Sequence, residues 1–154
     1  MKRLLSLLLA CSSCEAKSIV DGELLNRVAI IESNLNPSAI GDNGEGRGAF
    51  QLHHAAWLDG VAWLRTHGLY LTVLDDYRVG SMEFETSKMV ASGYLQMHEA
   101  RLNRIGECVT PLKLYMLYRF GWSGARKYDF NPNHSDLRGL DCAVLTRARI
   151  ILSK

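Results

Sequence analysis

The sequence predicts a mainly α, α+β domain: a helical body carrying one short β-hairpin or loop excursion. Three observations lead there. Apolar residues recur at helical spacing in five separate segments, strand-like alternation is nearly absent, and a single glycine-dense loop lies between Gly41 and Gln51.

Taken in order, the first helix runs from Ser18 to Glu32, with Ile19, Val20, Leu24, Leu25, Val28 and Ile31 on one face. Ser18 with Asp21 three residues later has the form of a capping box and sets the predicted start. Asn36-Pro37 sets the stop, because the residue before a proline avoids the α region. The Gly41–Gln51 loop is the place for the hairpin. A second helix is predicted from His53 to about Leu69, carrying Trp57, Val61 and Leu64, with Gly60 and Gly68 as weak points. A third spans Ser81 to about Asn103, with Met82, Met89, Val90, Leu95 and Leu102 apolar, and ends at a turn over Ile105-Gly106. Thr110-Pro111 opens the fourth, an N-cap threonine followed by a proline at the first helical position, and Leu112 to Tyr118 continues it. Asn131-Pro132 punctuates the chain, and Ser135 to Leu152 forms the last helix.

The 154 residues suffice for one domain with a proper core and leave little for a second. A net charge of +2 gives no argument for a nucleic-acid partner, while mild basicity suits an anionic cell wall. No internal repeat, low-complexity tract or membrane-length apolar run is present. Residues 1–16 have the form of an export signal, with Lys2-Arg3 ahead of the apolar stretch Leu4 to Ala10. Two cleavage readings compete. Leu8-Leu9-Ala10-Cys11 resembles a bacterial lipobox and would anchor a lipidated Cys11 in a membrane; cleavage after Ala16 would release residues 17–154. The second leaves Cys108 and Cys142 as an even pair that a disulfide could join in an oxidising compartment. An uncleaved helix is the third reading of this segment. Cys11-Ser12-Ser13-Cys14 lacks the βαβ surroundings of a redox motif, and no second pair of ligands stands at zinc spacing.

The informative stretch is Glu32-Ser33-Asn34-Leu35-Asn36-Pro37-Ser38-Ala39, followed by the glycine loop and by Gly48-Ala49-Phe50-Gln51. It places a carboxylate in the last turn of the first helix. There the negative helix end and apolar neighbours such as Ile30 and Ile31 would both raise its pKa, as a general acid requires. This order resembles the lysozyme-like domain of the lytic transglycosylases and related phage lysozymes, with the pattern E-S-x-x-N-P-x-A, a glycine loop and G-x-x-Q. A second segment, Tyr118-Arg119-Phe120-Gly121-Trp122-Ser123-Gly124-Ala125-Arg126-Lys127-Tyr128, is similar to A-Y-N-A-G-x-G-x-x-x-x-Y. With Leu117 at the first position, Tyr118, Gly121 and Tyr128 match in register and Gly124 stands one position past the second glycine, whereas Arg119 and Phe120 replace the usual Asn and Ala. The resemblance covers roughly residues 18–128 and implies a lysozyme-like fold and an exported monomer acting on the glycan strands of peptidoglycan, with neither metal nor other cofactor.

The resemblance makes Glu32 the catalytic acid. Asp42 is the second catalytic candidate, the base or nucleophile a hydrolase needs, although Asp42-Asn43-Gly44 is equally a turn sequence. Ser33 would orient Glu32 or cap backbone, Asn36 would tie the loop, and Gly48 would let backbone approach sugar. Phe50 lies within the motif, and Gln51 would offer its amide either to an N-acetyl group or to loop carbonyls. Tyr118 would bond the carboxyl or the leaving oxygen, or would simply be a half-buried helix tyrosine. Trp122 is the better sugar-stacking candidate, since Trp57 and Trp63 stand at core spacing. The implied reaction is lytic transglycosylation at the β-1,4 bond between N-acetylmuramic acid and N-acetylglucosamine, closing a 1,6-anhydro ring. A muramidase using Glu32 and Asp42, and a peptidoglycan-binding protein that does not cut, are the alternatives. Gly44 to Ala49 also fits the loose G-x-G-x-x-G/A nucleotide pattern, but it follows a helix and lacks a βαβ unit. The same loop holds too few ligands for calcium.

Overall fold

In the computed structural model, residues 17–153 are described, so the expected export segment and Cys11 lie outside the described residues. The chain is mainly helical with a small two-stranded antiparallel sheet. Helix α1 (Gly22–Ser33) is followed by strands β1 (Ile40–Gly41) and β2 (Gly46–Arg47), then by α2 (His54–Thr66) and a 3-10 turn at Thr72–Asp75. A single helical turn, α3 (Tyr77–Gly80), precedes the long α4 (Phe84–Arg104), and α5 (Pro111–Arg126) and α6 (Gly139–Leu152) complete the chain.

The first helix starts later than its apolar pattern suggested. Asp21 is the N-cap, its carboxylate accepting from the Leu24 amide at 2.8 Å, and residues 17–20 before it are not helical. Ser18 is used elsewhere. Its hydroxyl donates to Glu99, a buried carboxylate on α4 that also accepts from the Ile19 amide at 2.8 Å. The apolar Ile19 and Val20 thus pack from an irregular segment, which side-chain periodicity cannot tell from a helical turn. At the other end the stop comes before Asn36-Pro37. Asn34 takes the left-handed conformation, φ 55°, and its N–H closes onto the carbonyls of Ala29 and Ile30.

The remaining helices follow their sequence signals more closely. Thr110 caps α5 and Pro111 stands at its first turn, as anticipated. Glu83 caps α4 by accepting from the Thr86 amide at 2.6 Å. The α3 turn and the 3-10 turn before it were not anticipated; Asp76 caps α3 and Leu74 is buried beneath it. Helix α6 begins four residues after Ser135, at Gly139.

Helix α4 is the centre of the body, with α2 packed on one side and α5 on another, while α6 closes across α1 and α5. Gly60, a weak point by helix propensity, stands where α2 meets α4. A Cβ there would lie 2.5 Å from the Val90 carbonyl oxygen, and one at Gly93 would lie 2.7 Å from the Gly60 carbonyl oxygen. The two glycines let the backbones approach, which outweighs the roughly 1 kcal/mol that each costs a helix interior. Buried Val28, Phe50, Trp57, Val90, Leu95, Leu114 and Leu117 fill the space between the helices. Cys108 and Cys142 are both exposed and free. Among the described residues no helix is long and apolar enough to cross a membrane.

Candidate active site

Glu32 lies in the last turn of α1, between the β-hairpin on one side and α5 on the other. It lines a cleft of about 480 Å³ together with Asp42, Gln51, His53, Tyr118 and Arg119. Its carboxyl is raised above the ordinary carboxylate range, first of all by burial. The nearby Asp42 charge adds to the rise, while Tyr115, Arg119 and His53 oppose it. The helix end contributes less than the sequence suggested, because the last carbonyls are answered: Asn34 closes on Ile30, and the Arg147 guanidinium donates to the same carbonyl at 3.3 Å.

The group that touches Glu32 is Tyr115, which the motifs did not single out. Its hydroxyl donates to Glu32 Oε1 at 2.7 Å. With Oε1 accepting, the carboxyl proton belongs on Oε2. Burial first, and then the facing carboxyl, hold the Tyr115 phenol far above its usual range, so it stays a donor. A signal for it did exist: Tyr115 precedes Tyr118 by three residues, which puts both on one face of α5. Tyr118 lines the cleft but spends its hydroxyl on the Phe50 carbonyl at 2.5 Å. Burial raises its phenol well above normal.

Asp42 stands in the turn between the strands, in a left-handed conformation with φ 48°. Its Oδ2 faces His53 Nε2 at 2.9 Å and Arg119 Nη1 at 3.5 Å. The His53 hydrogen bond above all, with the Arg119 charge in support, lowers its pKa, so Asp42 is ionised. Glu32 and Asp42 therefore share one cleft in opposite electrostatic surroundings. His53, the exposed N-cap of α2, lines the cleft as the partner of Asp42, while His54 packs on the Tyr77 ring at 5.0 Å.

The loop residues serve mainly to hold this geometry. Ser33 Oγ donates to the Ala49 carbonyl at 2.8 Å and accepts from the Asn36 amide at 3.0 Å, stapling the helix end to the loop. Asn36 Oδ1 accepts from the Ser38 amide at 2.9 Å. The Gln51 amide nitrogen donates to the carbonyls of Gly48 and Ala39, at 2.8 and 3.2 Å, and its Oε1 lies where a Cβ on Gly41 or Gly46 would stand. Of the two uses foreseen for Gln51, the structure displays the bonding to loop carbonyls. Gly48 faces the body of the protein: with φ +70°, its Cβ position is 1.7 Å from the Ser81 carbonyl oxygen. Phe50 is fully buried, its ring 5.7 Å from Phe84. Trp122 stacks on His98 and packs on Phe130, with ring centroids 6.4 and 4.8 Å away, and is not among the residues lining the cleft. Gly121, beside it, does line the cleft; its φ of 66° and ψ of 175° break α5 there. Among the described residues no cluster of His, Cys, Asp and Glu is placed to hold a metal ion.

Chemically the arrangement offers a carboxyl with a raised pKa and a fixed donor behind it, an ionised carboxylate in the same cleft, and walls with both apolar and hydrogen-bonding groups. Compared with protein-family models, curated protein sequences and solved structures, the chain matches none.

Proposed function

We propose that this protein cuts the glycan strands of peptidoglycan as a lytic transglycosylase of lysozyme-like architecture, at the β-1,4 bond between N-acetylmuramic acid and N-acetylglucosamine. The observation that carries the reading is Glu32: a half-buried carboxyl with a raised pKa, lining an open cleft, with Tyr115 bonded to one of its oxygens. A carboxyl whose pKa is raised where it lines a cleft suits protonation of a glycosidic oxygen.

In this mechanism Glu32 Oε2 gives its proton to the bridging oxygen as that oxygen leaves C1 of the muramyl residue. The N-acetylglucosamine side departs with a new 4-hydroxyl. The substrate's own acetamido oxygen stabilises the electron-poor C1. Glu32, now a carboxylate still held by Tyr115, removes the proton from the muramyl 6-hydroxyl as O6 bonds to C1. The 1,6-anhydro ring closes, Glu32 is protonated again, and no water is consumed.

A second reading, the muramidase, is supported by Asp42. Its pKa is lowered by His53 and Arg119 in the cleft where that of Glu32 is raised, and it supplies the pairing of unlike carboxyls that hydrolysis uses. Mass spectrometry of digested peptidoglycan separates the two. Anhydro-muramyl ends that fall at least about 100-fold in Glu32→Gln are the expected result. Reducing ends lost in Asp42→Asn would favour the muramidase, and activity unchanged in Glu32→Gln would sink both. Peptidoglycan binding with no products would leave a binding protein.

A further inference from the structure

Glu32 is shared by two hollows. Beyond the main cleft, a second hollow of about 270 Å³ continues past it, walled by Glu32, Gly41, Tyr115, Arg119, Val144 and Arg147. Its cations come from two helices, Arg119 on α5 and Arg147 on α6. Both guanidinium charges act on the Tyr115 hydroxyl, which places them around the donor that holds the acid. Of the two, only Arg119 has an ion-pair partner among the described residues, the Asp42 carboxylate. Arg147 is exposed and donates one nitrogen to the Ile30 carbonyl at 3.3 Å; among the described residues it has no carboxylate within ion-pair distance. Arg119 reaches Asp42 only at 3.5 Å, and that carboxylate oxygen already accepts from His53 at 2.9 Å. Asp42, which also lines this hollow, is the one carboxylate paired with either arginine among the described residues, so most guanidinium N–H groups are left unspent.

We infer that this hollow is a subsite for a carboxylate on the glycan, held by Arg119 and Arg147, and that it makes the enzyme select acid-bearing strands over neutral N-acetylglucosamine polymers. The inference rests on the glycosidase reading above and names the feature of the substrate that this side of the cleft takes. Planar guanidinium groups match a carboxylate by paired N–H donors, whereas a neutral sugar offers them no charge. The cation at position 119 also stands where the resembling family has an asparagine, so the preference belongs to this chain. A muramyl strand carries a carboxylate in one of two places: on the lactyl group when the peptide is absent, or on the peptide stem when it is present.

The test is binding to Glu32→Gln protein, which keeps ligand intact, with Arg119→Gln or Arg147→Gln added. Three ligands are compared by calorimetry: a muramyl tetrasaccharide without peptide, the same length bearing dipeptide stems, and chitotetraose. Each arginine loss is expected to weaken binding of an acid-bearing ligand about tenfold, with chitotetraose unchanged. Arg147→Lys, which keeps the charge, is expected to recover part of the loss. A loss confined to the peptide-free ligand assigns the lactyl carboxylate, and one confined to the stem-bearing ligand assigns the peptide. Equal losses on chitotetraose, or no loss on any ligand, would overturn the subsite. Cleavage by the wild-type protein with arginine-independent binding sinks the subsite alone; carboxylate-selective binding without any cleavage sinks the glycosidase reading alone.

Discussion

At Glu32, burial raises the carboxyl pKa, and the Tyr115 hydrogen bond and the neighbouring cations only moderate the rise. The same imbalance acts on stability. An acid whose folded pKa exceeds its unfolded value contributes stability that is fully present below the unfolded pKa, about 4.5, and is lost as pH rises through the folded one. Glu32→Gln removes the ionisation and leaves an acceptor for Tyr115. The variant should therefore unfold at higher denaturant concentration than the wild type at pH 8, and at the same concentration near pH 4. Denaturant melts of both proteins across that range check it, and equal midpoints at pH 8 would mean that the carboxylate is not held at an energetic cost. Part of this was visible in the sequence, since Glu32 closes an apolar helix ahead of a stop. Its partner was not, because Tyr115 lies eighty-three positions away and only the packing of α1 and α5 against α4 and α6 brings it close.

Among the elements, the hairpin loop shows how a short segment with few strand residues is kept in one conformation. Two strands of two residues each cannot hold themselves, and the register Ile40 to Arg47 and Gly41 to Gly46 is set from outside. Gln51 ties it from below, the Tyr77 hydroxyl lies 2.7 and 2.8 Å from the Glu45 and Leu52 carbonyls, and Ser33 joins it to α1. Gly48 is the tightest point. Gly48→Ala would add a methyl where the Ser81 carbonyl stands, at a positive φ, and should destabilise the protein by about 3 kcal/mol or more. Thermal unfolding measures the stability loss, and the proposed glycan cleavage should fall with it because Asp42 belongs to the same loop. An unchanged melting temperature would show that the loop can detach from Ser81 freely. Sequence reading assigned this glycine to substrate; the close approach to Ser81 is a contact across thirty-three positions that local spacing does not reveal.

Across the whole molecule, His98 on the central helix α4 is the group that sets the acid limit. It is buried, both ring nitrogens lack a hydrogen-bond partner, and Tyr94 and Trp122 enclose it, with the Tyr94 ring edge-on at 4.5 Å. Burial, aided by the Arg101 charge, pushes its pKa down to about 3. A histidine depressed in the folded state leaves the unfolded chain holding more protons between about pH 6.5 and 3, so stability falls as pH drops through that window. The full effect is on the order of 5 kcal/mol. His98→Leu should flatten this acid slope and, by removing an unsatisfied N–H, leave the protein at least as stable at pH 7. Urea melts at pH 7 and pH 5 provide the comparison, and an acid slope that persists in the variant would place its origin in other groups.

Local chemistry and long-range packing divided the determination of this protein between them. Periodicity, the Thr110-Pro111 start and the Glu32-to-Gln51 order were enough to indicate a helical body, the α5 boundary and an acid beside a glycine loop, because each depends on neighbours within a few residues. The start of α1 at Asp21, the α3 turn, the Asp42–His53 pair, the Tyr115 hydrogen bond and the two-arginine hollow were decided by tertiary structure. Each depends on whether a side chain is buried and on what faces it, and burial is a property of the packed helices that no single segment carries.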